Sequence, residues 1–120
     1  MFPITLRRVY DPPLAGEGRA VLVDRLWPRG IRKAELADAL WLKEVAPSTG
    51  LRVWFHHNPD QWAEFKRRYR TELEVDPAPL TRLRQLAQTG PLTLLYASRD
   101  REQNHAQVLR DLLQGAAPRA

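Results

Sequence analysis

Cysteine is absent from the 120 residues, which removes disulfides, thiol nucleophiles and cysteine-ligated zinc in one step. Lysine is scarce: three of the 19 basic residues, the other sixteen being arginine. No apolar run approaches the roughly 18 residues that a membrane helix needs, so no membrane association is expected. The opening "MFPITLRRVYD" lacks a basic region leading into an apolar core and a small-residue cleavage site. No secretory signal is therefore expected, and a cytoplasmic location is the default. Glycine-rich phosphate loops, helix-turn-helix spacing and RNA-binding aromatic signatures are missing as well.

What remains is an ordinary globular balance, 43% hydrophobic and 28% charged, on a chain long enough for one sizeable core. A single domain over 1–115 is expected, with 116–120 as a frayed tail. A net charge of +5 and a pI near 10.2 favour acidic partners such as phosphates or nucleic acid. Arginine in such excess over lysine, among many Ala, Leu and Pro, also has a plainer reading as compositional drift. Position must therefore decide which arginines matter.

The pattern along the chain alternates strands with helices. "ITLRRVY" (4–10), "AVLVDRL" (20–26) and "LTLLYA" (92–97) read as strands, the last two with the continuous apolar character of strands buried on both faces. "RKAELADAL" (32–40) has helix-forming composition, and 40–48 reads as a short third strand. Ser48 caps a helix over 48–55. Over 58–73, Asn58 stands at a cap, Pro59 at the first helical position, and Trp62, Phe65, Tyr69 and Leu73 form one apolar stripe. Asp76 and Pro77 open another helix over 76–91. Asp100 and Gln103, spaced as a capping box, open the last over 100–115. The fold class is therefore α/β, a single small domain with a mainly parallel sheet of about four strands flanked by helices.

In such a sheet, ligands bind beyond the carboxyl ends of the strands. The segment "VDRLWPRGI" leaves the second strand with Asp24, Arg25 and Arg29, stiffened by Pro28 and loosened by Gly30. The third strand leads to Ser48 at a helix start, where free N–H groups suit an anion. The strand at 92–97 leads to Ser98, Arg99 and Asp100, with Asn104 and His105 soon after. Each residue has a plainer role: Asp100 and Ser48 as caps, Asp24 with Arg25 as a strand-end ion pair. Parallel strands would gather all of them at one edge, where arginine forks hold phosphate or carboxylate. Trp41, Trp54 and Trp62 serve the core; Trp27 is the candidate to border the ligand, with a place in the core as its plainer role.

Other features carry less. His56 and His57 are adjacent and lack the i, i+4 spacing of a zinc helix, so no metal site is expected, and His57 reads as a rim residue. His105 is too generic to name as a general base, and Ser98 has no base beside it in sequence. "KRRYR" (66–70) spreads Lys66, Arg67, Arg68 and Arg70 around a helix. It fits a solvated face, or a weak, sequence-nonspecific contact to a nucleic-acid backbone.

The wording of "VDRLWPRGI", "WLKEVAPS" (41–48), "LRVWFHHNPDQWAEFKRRYRTEL" and "TLLYASRDREQNHAQVL" resembles the domain-of-unknown-function 488 family, the YeaO-like proteins, from about residue 4 to residue 114. The resemblance implies a compact bacterial α/β domain. It brings no activity, substrate or cofactor, so no catalytic residue carries over. Where the family often has a Lys-Asp pair after the strand, this chain has Ser98-Arg99-Asp100. The expected function is binding of a small anionic, phosphate-bearing or nucleotide-like ligand at the strand ends, with a hydrolase or transferase as the enzyme version. A nucleic-acid-associated basic module and a partner-binding domain without catalysis are the alternatives.

Overall fold

The computed structural model describes residues 2–115; the tail expected to fray over 116–120 lies outside them. Four strands, β1 (Ile4–Arg8), β2 (Arg19–Leu22), β3 (Leu40–Trp41) and β4 (Leu92–Tyr96), form one sheet in the order β1-β4-β2-β3. Every pairing is parallel. β4 is central, and its five residues are all buried, as its unbroken apolar composition requires. The helices are α1 (Thr49–His57), α2 (Trp62–Val75), α3 (Ala78–Ala87) and α4 (His105–Gly115).

A loop rather than a helix carries the chain from β1 across to β2. Buried Arg7 fastens it, donating from Nε and Nη2 to the Glu17 carboxylate at 2.8 and 3.1 Å and from Nη1 to the Asp11 carbonyl at 2.8 Å. Thr93 Oγ1 donates to the Glu17 carbonyl at 2.7 Å. At Gly18, φ is +74° and an added Cβ would lie 2.3 Å from the Pro91 carbonyl oxygen. Only glycine fits so close a passage.

α2 buries Phe65, Tyr69 and Leu73 along one stripe. Phe65 stacks on Phe55 at 4.5 Å between ring centroids and lies 5.7 Å from Trp62. Tyr69, fully buried, donates its hydroxyl to the Val45 carbonyl at 2.5 Å. Burial, with the Glu72 charge second, pushes its pKa well above the usual value. These residues join the strands and the other helices in one continuous core.

Several boundaries differ from the sequence expectation. α2 begins at Trp62, not Asn58, because Asn58 closes α1 by donating Nδ2 to the Trp54 carbonyl at 2.9 Å. Asp76 likewise ends α2, and α3 starts at Ala78. Residues 32–40 form only a 3-10 turn over Lys33–Leu36, which buries nothing and so has no tertiary support. β3 shrinks to two residues, followed by a second 3-10 turn at Lys43–Val45. α4 starts at His105, because Asp100 builds a separate turn ahead of it and Asn104 supplies the cap.

Candidate functional site

Because the strands are parallel, the segments after β1, β2 and β4 leave the sheet at the same edge. They border a cleft of about 970 Å³. Asp24, Arg25, Arg29, Ser98, Arg99, Asp100 and Asn104 all line it. Ser48 does not. Its N–H and hydroxyl go instead to the Glu72 carboxylate at 2.8 and 2.5 Å, while its Oγ accepts from Leu51 N at 3.1 Å. Ser48 caps α1 as expected, but Glu72, reaching over from α2, is the anion at that helix start. A carboxylate 24 positions away left no local signal of this.

Asp24 tethers two strand ends. Its Oδ2 accepts from Ala97 N at 2.9 Å, joining the exit of β2 to that of β4. Its Oδ1 is buried and lies 3.0 Å from His105 Nε2 without a well-directed hydrogen bond. His105 Nε2 is also 3.0 Å from the Val23 carbonyl. A carbonyl can only accept, so Nε2 must carry a proton. His105, not singled out by the sequence, thus brings an N–H beside the buried Asp24 Oδ1 at the cleft, while the Ala97 amide holds Oδ2. The position of His105 at the start of α4, facing β2, is what makes it so.

Arg25 is held without being neutralised. Its Nε donates to the Pro47 carbonyl at 3.0 Å and its Nη2 to the Ala46 carbonyl at 2.9 Å. Neither acceptor carries a charge. Arg29 follows on the turn closed by Ile31 N to the Pro28 carbonyl, at 3.3 Å, where Gly30 adopts φ +81°. The Arg29 carbonyl accepts from the Tyr10 hydroxyl at 2.7 Å. Arg52, from α1, and Arg99 complete the set of four arginines lining the cleft, against two aspartates. Among the described residues, no carboxylate lies within ion-pair distance of any of the four. Arg52 and His56 were not foreseen as lining residues, because the length and facing of α1 decide their place.

The polar groups after β4 mostly serve the backbone. Asp100 Oδ1 accepts from Glu102 N and Gln103 N at 2.9 Å each. The Gln103 and Glu102 amides hold its carboxyl below the usual carboxylate range. Asn104, buried, donates to the Asp100 carbonyl at 2.8 Å and accepts from Gln107 N at 3.1 Å. Ser98 gives its carbonyl to Arg8 Nε at 2.9 Å and its Oγ to Asp100 N at 3.3 Å. Trp27 borders the cleft, with Nε1 bonded to the Ile31 carbonyl at 2.6 Å. Its neighbour Trp41, expected in the core, is exposed and packs edge-on to Trp27 at 5.3 Å.

The basic run on α2 is different. Glu64 takes Arg67 Nη2 at 2.6 Å and Arg68 Nε at 2.8 Å. Hydrogen bonds from Arg67 and then Arg68 hold the Glu64 carboxyl at about 2. Arg68 also lies over the Trp54 ring, 4.1 Å from its centroid. Two of its cations are therefore already engaged.

The family described as the inactive DUF488-N3 subclade matches residues 3–120. The chain belongs to that family. It is 47% identical over 110 residues to the uncharacterized protein YeaO of Escherichia coli K12, covering 92% of this chain and 96% of that one. It is 44% identical over 112 residues to the uncharacterized proteins Rv3073c of Mycobacterium tuberculosis H37Rv and Mb3100c of Mycobacterium bovis, covering 93% of this chain and 94% of each. No solved structure matches it. For this DUF488 member, no helix among the described residues is long and apolar enough to cross a membrane.

Proposed function

We propose that this DUF488 protein binds a small anionic, phosphate-bearing ligand in the strand-end cleft and does so without turning it over. The observation that carries the reading is Arg25. A half-buried guanidinium costs free energy to desolvate unless an opposite charge offsets it. Here two carbonyls fix its direction and leave its full charge on the cleft wall. Arg29, Arg52 and Arg99 add to that charge at the same cleft. Binding is preferred to catalysis because the family's own description is "inactive". In addition, Ser98 Oγ and Asp100 Oδ1, on the groups nearest in type to a nucleophile and a general acid, each accept from backbone amides, and among the described residues no base accepts the Ser98 hydroxyl proton.

The test is a titration of the full chain with inorganic phosphate, followed by amide NMR shifts. The expected result is saturable shifts at Asp24–Arg25, Ala46–Pro47 (through the Ala46 amide) and Ala97–Arg99. Charge-assisted hydrogen bonds to arginine contribute about 1.5–3 kcal/mol. Arg25→Ala should accordingly weaken binding by roughly tenfold to a hundredfold. Arg99→Ala, at an exposed side chain, should weaken it while leaving the fold untouched. Shifts confined to other faces, or affinity indifferent to both substitutions, would refute the proposal.

A further inference from the structure

We infer that the anion in this cleft is the phosphate of a mononucleotide-sized ester, whose ring lies against the rim formed by Tyr10, Leu26 and Val53. This rests on the reading that the cleft holds an anion, and it adds what else the ligand must carry.

Size comes first. The cleft, at about 970 Å³, sits at the upper end of the roughly 300–1,000 Å³ typical of small-molecule sites. Scaled from about 30 Å³ for a water, five heavy atoms of inorganic phosphate would fill on the order of a tenth of it. The rest of the lining shows what the remaining space suits. Leu26 is 60% exposed, and Tyr10 and Val53 are each 43% exposed. Single apolar side chains scattered over a surface need no explanation. Three on the walls of one arginine-lined cleft match a ligand that joins an anion to an apolar face.

Tyr10 is also prepared for stacking. Its hydroxyl is bonded to the Arg29 carbonyl at 2.7 Å, and the Arg8 guanidinium lies 4.7 Å from its ring centroid. Arg8 is in turn fixed by its bond to the Ser98 carbonyl. An exposed ring restrained in this way loses little freedom when a second ring stacks on it. The cleft also presents His56 and Gln103, both exposed. An alkyl chain lying over them would strip their water without replacing it, whereas the edge of a heterocycle or a sugar can meet them. Stacking accepts any base, so the ligand is a nucleoside monophosphate of no particular base.

The experiment compares adenosine 5′-monophosphate, ribose 5-phosphate, inorganic phosphate and adenosine on the full chain by the same amide shifts. Adenosine 5′-monophosphate should bind at least about tenfold more tightly than ribose 5-phosphate or phosphate, since stacking on an aromatic side chain is of that order. Tyr10→Ala and, separately, Leu26→Ser combined with Val53→Ser should bring it down to the ribose 5-phosphate level. Phosphate affinity should stay unchanged in the Leu26 and Val53 variant. If the nucleotide binds no better than phosphate, this inference fails and the anion reading stands. If adenosine binds as well as its monophosphate, or if none of the four shifts the cleft, both fail.

Discussion

One residue type meets two fates in this chain: some arginines are paired with a carboxylate, and others are not. Arg67 and Arg68 face Glu64 across one turn of helix, and their charge is spent there. Arg25 meets only carbonyls, so no carboxylate neutralises it, which is the premise of the proposed anion site. Asp24 is the residue that keeps the neighbouring strand ends in place, and its role can be checked separately. In Asp24→Asn the amide oxygen can still accept from Ala97 N. The NH₂ then faces His105 Nε2–H, which must keep its proton for the Val23 carbonyl. Two donors in contact without an acceptor should cost about 1–3 kcal/mol, read as a lower midpoint in urea at unchanged slope. Stability equal to the parent would mean that the carboxylate is not seated against that ring. At Gly18 the constraint is steric. Gly18→Ala places a Cβ 2.3 Å from the Pro91 carbonyl at a positive φ, so a large loss of stability is expected by the same measurement. An unchanged midpoint would show that the crossover loop passes elsewhere.

Among the elements, α2 shows most plainly what the sequence could and could not reveal. Its stripe of Phe65, Tyr69 and Leu73 was legible because residues buried on one helix face recur at helical spacing whatever the helix packs against. Phe65→Ala should cost roughly 3–5 kcal/mol, since the ring is 2% exposed between Phe55 and Trp62. A loss below about 1 kcal/mol would place the stripe at the surface. Its start at Trp62 differs from the expected Asn58, for Asn58 can close one helix as readily as open the next. Which it does depends on whether its amide reaches back to Trp54, a matter of three-dimensional path. Asp100 posed the same ambiguity, its carboxylate serving a turn four residues short of the true cap at Asn104. Residues 33–36 have helix-forming composition, yet without a buried face they make only a single 3-10 turn.

For the whole molecule, the class was readable while the strand order was not. Apolar strands separated by helices imply a parallel sheet, and parallel it is. The order β1-β4-β2-β3 depends on a loop crossing over β4, fastened by Arg7 and Glu17. No periodicity encodes such a link. The parallel arrangement nonetheless brings Asp24, Arg25, Arg29, Ser98, Arg99, Asp100 and Asn104 to one cleft, as strand ends at one sheet edge must. Ser48 escaped because Glu72 already supplies the anion at its helix. Anion binding at this edge requires that the cleft arginines be left unpaired for a ligand's charge. Its most direct test is a crystal soaked with tungstate, a heavy tetrahedral oxyanion located by its anomalous scattering. An ion is expected inside the cleft within hydrogen-bonding distance of the Arg25 guanidinium and at least one of Arg29, Arg52 and Arg99. Tungstate found only elsewhere, for example along Arg82 and Arg84 on α3, with the cleft empty, would contradict it.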